Sequence, residues 1–154
     1  MITIKKGDVL RSRAMYICHQ VNCMGVMGAG IAKQIKAMYP EVYEEYKRVC
    51  NEHRRNPAEL LGQNLGVHVR DGRMIINLFG QLDYSRFRSC TDLSALRTAC
   101  SPVAGYIPPD VEIAMPYRIG CGLAGGDWGA VLDMLAEVFE HNSLSCNEVV
   151  SCFA

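Results

Sequence analysis

The chain has 154 residues, 49% of them hydrophobic and 21% charged, with sixteen basic side chains balancing sixteen acidic ones. That composition excludes a disordered chain, no apolar run reaches the length of a membrane helix, and the zero net charge argues against a nucleic-acid polymer as partner. A chain of this size is expected to fold as one domain over residues 1–154, burying its apolar surface without staples.

MITIKKGD places its lysines after a short apolar patch and ahead of an aspartate, the wrong order for a secretory signal, so a cytoplasmic location is expected. The eight cysteines, at 18, 23, 50, 90, 100, 121, 146 and 152, form no C-x-x-C pair, and several lie in apolar runs where a free thiol behaves as a small hydrophobe. Reduced thiols fit that pattern better than a disulfide framework. His19, His53, His68 and His141 pair with no cysteine at ligand spacing, so neither a metal nor another cofactor is expected. Arg54-Arg55 and Arg86 to Arg88 read as solvated surface. A single nucleotide stays open as a ligand, because backbone amides alone can hold one pyrophosphate.

In chain order, Ile2 to Lys5 and Ala14 to Gln20 read as strands, the second a short apolar run that ends at a glycine-rich loop. Beyond the loop Ile31, Ile35 and Met38 recur at helical spacing, Pro40 interrupts, and Val42, Tyr43, Tyr46 and Val49 resume the pattern. This predicts two helical pieces meeting at Tyr39-Pro40. Asn51 to Gly62 is polar, contains Pro57 and reads as a loop. Leu65 to Val69 and Met74 to Leu78 flank Asp71-Gly72, the signal of a two-residue hairpin, and the second strand is apolar enough to be buried. Residues 92–104 suggest a helix weakened by Pro102, Val111 to Met115 a strand, and Asp127 to Glu140 a helix with Trp128, Val131 and Leu135 on its apolar side. Glu148 to Phe153 reads as a last strand. The order predicts an α/β fold, a mixed sheet with helices on both faces, in which ligands sit at the carboxyl ends of the strands.

Two glycine-rich loops leave strands in that way. The first carries Gly25, Gly28 and Gly30, which is G-x-x-G-x-G and neither the dinucleotide fingerprint nor a P-loop. A helix starting near Gly30 would point its free N–H groups at whatever fills the turn. The second, PYRIGCGLAGGDWG, packs four glycines between Gly120 and Gly126 ahead of an amphipathic helix, with Asp127 placed to cap it. Two such loops in one small domain suggest one anionic ligand gripped from two sides.

Gly7-Asp8, N-x-x-x-x-x-G-x-G-I-A from Asn22 to Ala32, and P-x-R-I-G-C-G-L from Pro116 to Leu123 together resemble the macrodomain family, and in particular its branch related to terminal ADP-ribose glycohydrolase. The resemblance spans nearly the whole chain. It implies a three-layer α-β-α fold around a roughly six-stranded mixed sheet, and a pocket for ADP-ribose. Asp8 is then the aspartate that receives the adenine amino group, with the Val9 backbone helping to read the ring. Gly28, Ala29, Gly30 and Ile31 would wrap the distal ribose and one phosphate, with Asn22 near that ribose. Gly120, Cys121, Gly122, Leu123 and Ala124 would hold the diphosphate through main-chain N–H groups. The implied partner is ADP-ribose or an ADP-ribosylated substrate, with nucleic acid only where it is ADP-ribosylated, no membrane, and the chain acting as a monomer.

In that branch hydrolysis at the distal ribose relies on a lysine after the central strand and an aspartate directly after G-C-G-L. Ala124 stands at the second position here, and no lysine occurs beyond Lys47. Asp127 is the nearest carboxylate in the loop and is the expected proton-transfer group, with a helix cap as its other role. His19, Gln81 and Asp83 lie near strand ends, Cys23 and Cys121 lie in the loops, and Tyr84 and Phe87 either cover the ligand or pack. The expectation is an ADP-ribose-binding macrodomain that hydrolyses an ADP-ribose derivative, by de-ADP-ribosylation, deacylation or removal of phosphate from ADP-ribose phosphate. The contrasting expectation is a reader that binds ADP-ribose without turnover. An unrelated nucleotide-binding oxidoreductase is a third class, disfavoured by the missing fingerprint.

Overall fold

The computed structural model describes residues 1–85, 90–122 and 124–149. Six strands form one sheet: β1 (Ile2–Lys6), β2 (Tyr16–Asn22), β3 (Asn64–His68), β4 (Met74–Gln81), β5 (Glu112–Pro116) and β6 (Ser143–Glu148). Their order across the sheet is β1-β6-β5-β2-β4-β3, parallel throughout except for β3, which runs antiparallel on β4. Four helices cover it: α1 (Gly30–Met38), α2 (Pro40–Glu52), α3 (Leu93–Tyr106) and α4 (Trp128–Val138). No helix among the described residues is long and apolar enough to cross a membrane.

The strand period of two sorts the side chains into two cores, one on each face of the sheet. Ile17, Val21, Ile75 and Phe79 pack with Ile35, Val42 and Tyr46 of α1 and α2. Cys18, Ile76, Leu78, Ile113 and Met115 pack with Leu96 of α3 and with Val131 and Leu135 of α4. Most of these side chains are fully buried, and each such aliphatic or aromatic burial contributes about 1.5–3 kcal/mol. The three-layer α-β-α arrangement expected from the resemblance is present.

Some boundaries match the sequence reading and others differ, each for a physical reason. Pro40 opens α2 at a position that needs no N–H, so the two helices meet at Tyr39 as predicted. Pro102 lies inside α3 on its exposed side, and the helix runs through to Tyr106. The turn between β3 and β4 is longer than two residues, since the ladder ends at His68 and Met74 and is closed by Val69 N–H donating to the Arg73 carbonyl at 2.9 Å. The last described strand is Ser143–Glu148, which the sequence reading did not mark, and the strand expected over Glu148 to Phe153 lies from residue 150 onward outside the described residues. Buried polar groups hid β6. Ser145 donates to Glu112 at 2.7 Å and Asn147 is 8% exposed, so both faces of the strand are buried and only Leu144 and Cys146 supply an apolar signal.

The topology creates the site. From β2 the chain passes through the first glycine loop into α1 on one face, and from β5 it passes through the second into α4 on the other. Adjacent strands feeding opposite faces make a switch point, where a crevice opens at their carboxyl ends. β2 and β5 pair only at Tyr16 with Ile113 and Ile17 with Ala114, so beyond those rungs the two strands part.

Candidate functional site

A cavity of about 540 Å³ opens where β2 and β5 part, within the roughly 300–1,000 Å³ usual for small-molecule sites. Gly28 to Ala32 line one wall, Gly120, Gly122 and Ala124 the other, and Gln20, Asn22, Gln81, Tyr84 and Arg118 complete it.

The first wall is organised by Asn22. Its Oδ1 accepts from Met24 N–H at 2.9 Å, its Nδ2 donates to the Val26 carbonyl at 2.8 Å, and the buried Tyr46 hydroxyl reaches its Oδ1 and main-chain oxygen, each at 2.8 Å. Burial raises the Tyr46 phenol well above its ordinary value, so it stays a donor. The loop then enters α1 at Ala29, which has extended backbone and no side-chain cap. The other long helices that follow sheet loops differ: Asp92 caps α3 at Ala95 N–H, 3.0 Å, and Asp127 caps α4 at Gly129 N–H, 2.9 Å. The first-turn amides of α1, from Gly30 to Ala32, therefore have no protein acceptor among the described residues and line the cavity, which is the arrangement that holds an anion.

The second wall is folded tightly. Gly120 adopts φ 74°, Gly126 N–H donates to its carbonyl at 2.8 Å, and a Cβ on Gly126 would lie 2.6 Å from that carbonyl oxygen. Cys121 N–H is used internally, donating to the Arg118 carbonyl at 2.9 Å, whereas the amides of Gly120 and Gly122 have no acceptor among the described residues. Thr91, on the segment before α3, donates its hydroxyl proton to the Gly120 carbonyl at 2.5 Å and accepts from Gln20 Nε2 at 2.9 Å; the same Nε2 donates to Gln81 at 2.7 Å. Gln20 Oε1 is buried between the positions that Cβ atoms on Gly80 and Gly120 would fill. This strap from β2 to the second loop went unread in the sequence, where nothing marks a glutamine and a threonine 71 residues apart as partners.

The remaining expected residues fall as follows. Asp8 sits beside β1 with its Oδ1 accepting from Leu10 N–H at 2.9 Å, and Val9 is buried in the core; neither lines the cavity. Cys121 points its thiol into the core toward the Ile119 carbonyl, 3.4 Å, and burial raises its pKa. Leu123 and Phe87 lie outside the described residues. Asp127 is exposed at the α4 cap and does not line the cavity. His19 is fully buried, its Nε2 at 2.6 Å from Asn77 Oδ1, and burial lowers its pKa to about 4, so it is neutral, and it does not line the cavity. The Cys23 thiol is pushed up to about 12 by burial, which makes it inert at neutral pH. Tyr84 is 59% exposed at the cavity wall. Among the described residues no cluster of histidine, cysteine or carboxylate is able to hold a metal ion.

A twice-covered sheet with two amide-lined loops facing across its switch point defines an α/β domain with a donor-lined crevice between its walls. The chain matches no family model. It is 37% identical over 153 residues to the DNA ADP-ribosyl glycohydrolase of Mycobacterium tuberculosis, covering 92% of this chain and 39% of that protein. Over 60 residues it is 38% identical to the ADP-ribose 1''-phosphate phosphatase of Meyerozyma guilliermondii, covering 37% of this chain and 34% of that protein. The solved macrodomain of Mycobacterium tuberculosis DarG superposes with a TM-score of 0.79 and 28% identity, covering 98% of this chain and 99% of that one. The chain has the macrodomain fold. It spans about 39% of the length of the glycohydrolase it matches.

Proposed function

We propose that the crevice binds ADP-ribose and that the chain, as a single domain over residues 1–154, hydrolyses an ADP-ribose derivative. The observation that carries the reading is the pair of opposed amide groups, Gly30 to Ala32 on one wall and Gly120 with Gly122 on the other, across a cavity of about 540 Å³. One diphosphate between them satisfies donors from both walls at once. The distal ribose then lies along Gly28 and Asn22, and Asp8, whose Oδ2 is not taken up by the Leu10 bond, receives the adenine amino group. The names of the relatives, a DNA ADP-ribosyl glycohydrolase and an ADP-ribose 1''-phosphate phosphatase, support hydrolysis at the distal ribose. Water supplies the oxygen that replaces the leaving group at that carbon, and the leaving group departs with a proton. Asp127 or a water held by the substrate's own phosphate moves that proton.

A reader without turnover is the second reading, and one observation favours it. Among the described residues the cavity wall carries no carboxylate, lysine or histidine. The test is calorimetry with free ADP-ribose, followed by incubation with ADP-ribosylated DNA, ADP-ribosylated protein, O-acetyl-ADP-ribose and ADP-ribose 1''-phosphate. Binding with release of ADP-ribose or phosphate is the expected result. Binding with no turnover of any of the four establishes the reader, and no heat with ADP-ribose sinks both.

A further inference from the structure

Arg118 is the one non-glycine residue with left-handed backbone among the described residues, at φ 60°. A side chain disfavours that conformation, and here two turn bonds impose it: Ile119 N–H to the Pro116 carbonyl at 3.1 Å and Cys121 N–H to the Arg118 carbonyl at 2.9 Å. The side chain is exposed, lines the cavity, and makes no hydrogen bond or ion pair among the described residues. Every other described side chain of the wall is uncharged. The two amide groups already answer a diphosphate with partial charges. A guanidinium beside them adds a full positive charge and a planar fork, the pairing suited to a further phosphoryl group.

We propose that Arg118 reads a phosphoryl group that the substrate carries in addition to its diphosphate, making the crevice selective for phosphoryl-bearing ADP-ribose derivatives. The proposal rests on the reading of the crevice as an ADP-ribose site. Two sources present that group: a phosphate ester on the distal ribose, and the backbone phosphates beside an ADP-ribosylated nucleotide.

The experiment compares wild type, Arg118→Gly and Arg118→Lys against four probes: ADP-ribose, ADP-ribose 1''-phosphate, an ADP-ribosylated nucleoside, and a short oligonucleotide with one ADP-ribosylated base. Kd is measured by calorimetry, or kcat/KM where the probe turns over. Glycine accepts the left-handed backbone without strain, so Arg118→Gly removes the charge and keeps the turn. Its expected effect is a loss of about tenfold or more on a phosphoryl-bearing probe and less than threefold on ADP-ribose, with partial recovery in Arg118→Lys. Loss on ADP-ribose 1''-phosphate alone places the group on the ribose. Loss on the oligonucleotide but not on the nucleoside places it on the nucleic-acid backbone. Equal losses on all probes, or none on any, overturn the proposal while leaving the ADP-ribose site standing. A wild type that fails to bind ADP-ribose overturns both.

Discussion

The Thr91 hydroxyl donates to the Gly120 carbonyl at 2.5 Å while accepting from Gln20 Nε2 at 2.9 Å, so a residue outside both glycine loops sets the position of the second one. Thr91→Val keeps the methyl that faces Gly120 and Gly126 and deletes both bonds. The expected result is a destabilisation of about 1–3 kcal/mol and weaker ADP-ribose binding, read by thermal melting and calorimetry. Unchanged melting and affinity would remove the strap from the account.

Gly126 and Gly122 make an opposed pair of substitutions. A Cβ at Gly126 lies 2.6 Å from the Gly120 oxygen, whereas one at Gly122 meets nothing within 4 Å. Gly126→Ala is expected to lower stability by about 1–3 kcal/mol, as overpacking against backbone does. Gly122→Ala should melt like wild type and yet bind ADP-ribose less tightly, because its methyl enters the crevice. Denaturant unfolding paired with calorimetry separates the two effects.

At Ala29 stability and binding should trade against each other. The α1 start lacks a side-chain cap, so Ala29→Asp offers its first-turn amides an internal acceptor. A gain of about 1 kcal/mol in the ligand-free protein is expected, together with loss of ADP-ribose affinity as the carboxylate competes with and repels the diphosphate. A variant that gained stability and kept its affinity would show that the anion does not sit at α1.

Asp127 has two separable roles. Its Oδ1 accepts from Gly129 N–H at 2.9 Å, a bond asparagine also makes. Asp127→Ala is expected to lose about 1 kcal/mol of stability, and Asp127→Asn to lose little. Steady-state kinetics decides the rest. If the carboxylate moves the proton, kcat falls in both variants with KM held, whereas unchanged kcat in the asparagine variant assigns Asp127 to the cap alone.

Acid should weaken the fold through His19. Burial lowers its folded pKa from the ordinary 6.5 to about 4, with the hydrogen bond to Asn77 opposing that shift. The unfolded chain therefore takes up the proton first as pH falls, and the native state loses ground through the window from 6.5 to 4. The neutral ring contributes stability above that window, and about 3 kcal/mol of it is lost by the lower end. Urea midpoints measured across this range should fall more steeply for wild type than for His19→Gln.

Local signals carried much of the fold. Pro40, the glycine loops, and the apolar spacing of α1, α2 and α4 are each written within one turn or one strand, and both loops do line the cavity. Three things depend on residues far apart in the chain. Ser145 and Asn147 are polar yet buried in β6, with Ser145 partnered by Glu112 on the neighbouring strand, so only Leu144 and Cys146 marked the element as apolar. The Gln20–Thr91–Gly120 strap joins three segments. Cys121 stands in a binding motif, yet its side chain faces the core, because the left-handed turns at Arg118 and Gly120 redirect the chain between them.

The sheet separates two cores, and each half of the clamp belongs to a different one: Met27 and Ile35 anchor the first loop and α1 below one face, while Ile119 and Val131 anchor the second loop and α4 above the other. A molecule seated between the walls would therefore be a strut joining two layers that otherwise meet through the strands. Occupancy would then stiffen both layers together, and a weakened core on either side would be felt at the ligand as a loosened jaw.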